Sequence, residues 1–297
     1  MNGAAGPRLM LDCASLTYRA FHAVPPRRAP DGTGTHAVYG FLGVLTRLIP
    51  DRKPSRLWIA LDADWRPAFR VEALPTYKTH RVAATVEEED PVAPQMVLLE
   101  RFLDAFGLST ASAAGFEAED VIATLAKRTR EPVEIVTGDR DLFALVADPH
   151  VTVLYTLRGG VSELAHVDAA WVHQKYGIPG DRYLDYALLR GDPSDGLPGV
   201  RGIGEKTASD LLRRYGSLEA ILAATDLSPT IRARLRVAAD YLAAARRVVA
   251  PVTDCPVTGG EGAIPRTPAR PDELRELAKS YALEGAVTRL VDALAAA

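Results

Sequence analysis

The sequence predicts an α/β protein: a central, mostly parallel sheet flanked by helices, followed by a helical region. Three observations carry that expectation. Short, continuously apolar runs recur at 8–12, 56–62, 133–137 and 151–155. They are too short for helices and lack the alternation of half-exposed strands, so they read as strands buried on both faces. Helical spacings of roughly 10 to 15 residues separate several of them, as parallel βαβ units require. From Asp168 onward the pattern is almost wholly helical, which divides the chain into 1–167 and 168–297.

The first strand ends on Asp12 and leads into a helical pattern through Leu16, Ala20 and Phe21, which Pro25, Pro26 and Pro30 break. A second helix over His36 to Leu48 spaces Val38, Phe41, Leu42 and Leu45 on one face. The second strand also closes on an acid, Asp62. Residues 75–94 lack apolar periodicity and read as a mobile loop holding Lys78, His80, Arg81 and the acidic run Glu87 to Asp90. Helices are expected over Gln95 to Phe106 and Ala118 to Arg130. The third strand runs into Gly138 and Asp139, where Asp139-Arg140-Asp141 would cap a helix over Leu142 to Val146. The Pro- and Gly-rich stretch 253–271 reads as a linker or long loop, and 272–297 as a terminal helical pair.

With 297 residues, 47% hydrophobic and 25% charged, the composition is that of a globular protein with a sizeable core. No apolar run reaches membrane-spanning length and no export signal opens the chain. Cys13 and Cys255 are too few for a disulfide framework or a cysteine zinc site, so a reducing cytoplasm is the expected setting. The net charge of -3 argues by itself against a nucleic-acid partner. Its distribution reverses the argument. Residues 1–81 carry +6, 82–199 carry -11, 200–247 carry +4 and 248–297 carry -2. Two basic flanks surround an acidic middle.

Nine carboxylates make up five clusters: Asp12; Asp62; Glu117, Glu119 and Asp120; Asp139 and Asp141; Asp192 and Asp195. Taken singly, each has an ordinary reading as a helix cap, first-turn acid or turn residue. Taken jointly they do not, because strand carboxyl ends in an open parallel sheet converge on one crevice. Two carboxylates about 4 Å apart repel by roughly 4 kcal/mol at an effective dielectric near 20, so such a crevice calls for cations. Oxygen-only ligands select Mg²⁺ first and Mn²⁺ second, and two such ions on a phosphate suit phosphodiester hydrolysis. Lys78 and Arg81, three residues apart, could share a helical face and stabilise phosphate charge, and Tyr77 could stack on an unpaired base. The ordinary reading of 77–81 is a solvated loop. Further on, Gly199-Val200-Arg201-Gly202-Ile203-Gly204 runs directly into a helix with Lys206 in its first turn. Glycines admit a phosphate to the backbone, and free N–H groups at a helix start bind it. With Gly216, Ser217 and the next helix this is a helix–hairpin–helix pattern that grips duplex backbone without reading bases. The ordinary reading is a tight αα turn, but its setting among Arg213, Arg214, Arg232, Arg234 and Arg236 favours nucleic acid.

Together these residues resemble the bacterial 5′-nuclease and flap endonuclease family, including the nuclease domain that opens many DNA polymerase I chains. The resemblance spans about 8–290 and rests on Leu11-Asp12, Tyr18-Arg19-Ala20-Phe21, Val38-Tyr39-Gly40-Phe41, Asp62 with Phe69-Arg70, Tyr77-Lys78, 116–120, 137–142, 191–195 and 197–208. It implies that Asp12, Asp62, Glu117, Glu119 and Asp120 belong largely to a first metal site, completed by Asp139, Asp141, Asp192 and Asp195, which supply a second. It places Lys78 and Arg81 at the base of a helical arch spanning about 70–94, through which a 5′ strand passes. It makes 199–215, with Gly202, Ile203, Gly204 and Lys206, a K⁺-assisted duplex clamp, and adds Arg19 as a DNA contact. The implied substrates are DNA flaps, nicks and free 5′ ends, with RNA primers among them, and a separate DNA polymerase is the implied partner because no polymerase domain follows. Glu119 stands where the family pattern has Asp, and Gly196 where Asn is common. Two other functions compete: a non-catalytic structure-specific DNA-binding protein, and an RNA-cleaving nuclease of the same sheet type.

Overall fold

The computed structural model describes residues 6–82 and 90–297. The strands are β1 (Arg8–Asp12), β2 (Arg56–Ala60), β3 (Thr110–Ser112), β4 (Val133–Thr137), β5 (Val151–Leu157), β6 (Gly160–Val167) and β7 (Thr258–Gly259). They form one sheet in the order β6-β5-β4-β1-β2-β3-β7. β1 to β5 are mutually parallel, and the two edges, β6 and β7, are antiparallel. The mostly parallel sheet and its flanking helices agree with the sequence expectation.

Three of the strands escape the sequence pattern for identifiable reasons. β3 is the three-residue Thr110-Ala111-Ser112, with no apolar run. β7 occupies two residues of the supposed linker, where Gly259 takes φ +127° and a Cβ would stand 2.1 Å from the Thr110 carbonyl oxygen. β6 is a half-exposed edge strand, so its composition is mixed. The helix expected over Leu142 to Val146 is a 3₁₀ turn, Asp141–Leu145, held by the buried side chains of Leu142 and Phe143.

Strand alternation divides the core in two. Leu9, Leu11, Leu57, Ile59, Val136 and Leu154 face one side, with helices Cys13–Ala23, His36–Arg52 and Ala93–Phe106. Met10, Trp58, Ala60, Val133, Ile135 and Val153 face the other, with helices Ala118–Lys127, Tyr183–Arg190 and Glu205–Tyr215. Each fully buried Leu, Ile or Phe contributes about 2 kcal/mol by leaving water. The terminal pair, Pro271–Ser280 and Glu284–Ala295, joins the first side, where Glu284–Ala295 packs on His36–Arg52. It therefore lies across the sheet from the glycine-rich hairpin. No helix among the described residues is long and apolar enough to cross a membrane, and both cysteines are buried and free.

β1 is the switch point. From it the chain proceeds through β2 and β3 in one direction, and β4 and β5 extend in the other. A crevice opens where the strand order reverses, at the carboxyl ends, beside Asp12 and Thr137-Gly138-Asp139.

Candidate active site

A cleft of about 1580 Å³ opens over that switch point, and seven of the nine acids line it: Asp12, Asp62, Glu117, Glu119, Asp139, Asp192 and Asp195. Asp12 caps the helix Cys13–Ala23 by accepting from the Ser15 N–H at 3.1 Å. Its second oxygen accepts from the Thr137 hydroxyl at 2.7 Å. Thr137 Oγ1 in turn accepts the Asp139 N–H at 2.8 Å, so one hydroxyl ties the ends of β1 and β4 together. Asp62 accepts from the Ala118 N–H at 2.7 Å, which fixes the helix Ala118–Lys127 to the end of β2. Burial, followed by the charge of Asp62, pushes the Asp12 carboxyl up to about 7. Asp62 and Asp139 are also raised, in each case chiefly by burial. Asp141 is raised well above the ordinary range by burial and by Asp139, Asp195 and Asp192, which places it against the same cluster. Among the described residues, no three Asp, Glu, His or Cys side chains are gathered closely enough to hold an ion as they stand. The donor set itself, all oxygen and crowded enough to resist ionisation, fits a hard divalent cation.

One wall of the cleft is built on a buried arginine. Arg70 is 0% exposed, and every one of its guanidinium hydrogens has an acceptor. Nε donates to the Val248 carbonyl at 2.8 Å, and Nη1 and Nη2 grip Asp120 bidentately, both at 2.8 Å. The remaining hydrogens reach Glu117 at 3.3 Å and Glu119 at 2.5 Å. Three acids in one helical turn are tolerated because this fork neutralises them. Glu117 also accepts from the Tyr77 hydroxyl at 2.7 Å and pairs with Lys78 Nζ. Burial disfavours the Lys78 charge, but Glu117, Asp195 and Glu119 outweigh it and raise the ammonium above its ordinary value. Lys78 is therefore a fixed cation.

The segment carrying Lys78 is docked on the Asp192–Asp195 turn. The Lys78 N–H donates to the Asp195 carbonyl at 3.0 Å, and Arg81 pairs with the Asp195 carboxylate at 2.8 Å. Gly196 explains its own identity here: it takes φ +75°, and a Cβ would lie 2.3 Å from the Thr76 carbonyl oxygen. Behind this turn, Gly191 and Gly199 cross back to back. A Cβ on Gly191 would stand 2.4 Å from the Gly199 nitrogen, and one on Gly199 2.3 Å from the Arg190 carbonyl oxygen. The turn holding Asp192 and Asp195 and the hairpin 199–204 are thus joined backbone to backbone. Gly204 caps the helix Glu205–Tyr215, with Lys206 exposed in its first turn, and Arg234 pins the hairpin by donating to the Gly202 carbonyl at 2.8 Å.

The comparison with known proteins matches both halves of this arrangement. The N-terminal resolvase-like domain of 5′-3′ exonucleases matches residues 7–177, and their C-terminal SAM fold matches 178–271. The chain belongs to the 5′-3′ exonuclease family. A 5′-3′ exonuclease of Streptomyces coelicolor is 47% identical over 97% of this chain and 100% of its own length, and one of Mycobacterium tuberculosis is 44% identical over 97% and 98%. The DNA polymerase I of Mycobacterium leprae is 37% identical over 97% of this chain and 32% of its own. Among solved structures, T5 5′-exonuclease with bound zinc shares the fold at TM-score 0.65 and 15% identity, each chain covered to 98%. Flap endonuclease-1 from Methanococcus jannaschii does so at TM-score 0.63 and 16% identity, covering 98% of this chain and 94% of that one. This exonuclease is accordingly a hydrolytic nuclease.

Several expectations about the exonuclease's site need correction. Asp120 does not reach the cleft: it is 0% exposed, and its oxygens are taken by Arg70 and the backbone N–H groups of Glu117 and Val252. Tyr77 offers no ring face to a base, being 2% exposed with its hydroxyl on Glu117. Lys78 and Arg81 do not share a helical face, because Lys78 sits at φ +49° and the helical turn begins only at Thr79. The Ile203 side chain is buried in the core. Arg19 lines the cleft and donates to the Gly138 carbonyl at 2.9 Å. The centre of the expected arch, 83–89, lies outside the described residues. Sequence reasoning missed Thr137, whose threonine at a strand end beside Gly-Asp gave a weak signal, and Arg70, an arginine enclosed by Phe69 and Val71, as a member of the site.

Proposed function

We propose that this exonuclease is a structure-selective 5′ nuclease, cutting DNA at 5′ flaps, nicks and free 5′ ends, with RNA primers among its substrates and a separate DNA polymerase as partner. The observation that carries the proposal is the convergence of acids from five chain segments on one cleft that also holds Lys78 and Arg81. Asp12, Asp62, Glu117, Glu119, Asp139, Asp141, Asp192 and Asp195 would hold two or more Mg²⁺ or Mn²⁺ ions, which when bound supply an activated water and neutralise the leaving oxygen. Lys78, held charged by Glu117, and Arg81, anchored on Asp195, stabilise the charge that develops on the phosphate. Arg70 keeps Glu117 and Glu119 in place. The N–H groups at 202–206 and the Lys206 ammonium grip the duplex backbone, with K⁺ on hairpin carbonyls as the accompanying cation. The backbone junction at Gly191 and Gly199 fixes the distance from that grip to the acids, so the cut falls a set number of nucleotides from the duplex. In this reading 1–167 performs most of the chemistry, and 168–297 completes it with Asp192 and Asp195 and supplies the clamp at 199–215.

The test is cleavage of an end-labelled 5′-flap duplex with Mg²⁺ or Mn²⁺ by the wild type and by Asp139→Ala. Asp139 caps only a local turn, through the Asp141 N–H at 2.9 Å, so the variant should fold and bind while losing cleavage by a factor of a thousand or more. Wild-type rates in Asp139→Ala would overturn the assignment.

A further inference from the structure

We propose that Trp65 is the stacking platform for an unpaired base of the 5′ strand, immediately beside the phosphate held by Lys78 and Arg81. The exonuclease has three tryptophans. Trp58 is buried, with its indole N–H donating to the Gly260 carbonyl at 2.9 Å. Trp171 packs edge-on against Phe143 and Tyr176. Trp65 differs from both: it is 41% exposed and lines the cleft alongside Lys78, His80 and Arg81. Among the described residues, no ring or cation packs against its indole and its N–H has no hydrogen-bond partner. Its place on the wall is fixed from the backbone, because the Trp65 carbonyl accepts from Lys78 Nζ at 3.3 Å. A phosphate drawn to Lys78 and Arg81 thus lies in the same cleft as this indole, within reach of a base on the same strand.

Among the described residues, Tyr18 is the other large exposed aromatic ring in the cleft, but its hydroxyl is committed to Asp90. A large ring left in water at the mouth of a charged cleft is suited to a base, whose π-face is the same for any sequence. Such a contact favours an unpaired strand over a stacked duplex without reading sequence, as a structure-selective enzyme needs.

The inference rests on the nuclease reading, and the two fail separately. Binding of the full chain is measured in chelator, by anisotropy and tryptophan emission, on a 5′-flap duplex with thymines in the flap and on the same duplex with abasic flap residues. The wild type should bind the thymine flap roughly tenfold more tightly and be quenched by it. Trp65→Ala should equalise the two substrates and lose the quenching, and Trp65→Phe should recover most of the difference. Equal losses on both flaps, or no loss, overturns the platform. Failure of the wild type to cleave a flap with divalent metal instead overturns the nuclease reading, while a base-dependent quench would survive it.

Discussion

Replacing Arg70 is the most informative single perturbation, because the whole acidic wall depends on one guanidinium. Arg70→Met keeps much of the aliphatic volume but removes a bidentate grip on Asp120, two further bonds to Glu117 and Glu119, and the tie to the Val248 carbonyl. Breaking a buried ion pair by removing one partner costs about 3–5 kcal/mol, because the other charge stays buried. At roughly 2–4 °C per kcal/mol for a chain of this class, the melting temperature at pH 7 should fall by about 10 °C or more. Glu117 and Glu119 already stand above the ordinary carboxylate range, chiefly through burial, and without Arg70 they rise further. A carboxyl whose folded value is raised stabilises the fold fully below its unfolded value and loses that contribution as pH rises through the folded one. The deficit of Arg70→Met should therefore grow from pH 5 to pH 8. Arg70→Lys should recover little, since an ammonium cannot reproduce the fork. Thermal melts in chelator across that range decide the matter. A loss under 1 kcal/mol at pH 7, or one independent of pH, would refute the neutralisation argument.

Asp12, raised to about 7, predicts the same sign in the wild type: its contribution, up to ~4 kcal/mol, is complete only below about pH 4 and lost as pH climbs through 7. In chelator, Asp12→Asn should flatten the decline in stability between pH 5 and 8, and an unchanged slope would show that Asp12 is not its source. Gly199→Ala puts a Cβ 2.3 Å from the Arg190 carbonyl oxygen at φ +68°, so stability should drop by about 2 kcal/mol or more, with a shifted cleavage position on a flap duplex. Unaltered cut sites would mean that this junction does not set the measure. Lys206→Ala should weaken binding to unrelated duplexes alike and reduce the magnitude of the salt slope by about one unit; a loss confined to certain base sequences would contradict a backbone contact.

The sheet class, the strand ends that lead to Asp12, Asp62 and Asp139, and the glycine hairpin were legible in the amino-acid sequence, because these depend on local periodicity and on backbone positions that few residues tolerate. Apolar runs and Gly spacing are local signals. The edge strands β3, β6 and β7 were not legible, since pairing with a neighbour rather than their own composition makes them strands. Roles within the acidic clusters were beyond the sequence for the same reason. Glu117, Glu119 and Asp120 are adjacent in one helical turn, yet Asp120 turns inward and Glu117 and Glu119 line the cleft. What holds Asp120 inward is the bidentate grip of Arg70, 50 residues away, together with the Val252 N–H, 132 residues away along the chain. Tyr77 loses its expected exposure likewise, because its segment docks on the Asp192–Asp195 turn and its hydroxyl turns to Glu117. Residue type states which chemistry is available. Which charge is neutralised and which faces the cleft is settled only by long-range packing, since burial and counter-charge belong to the folded surroundings and not to the residue.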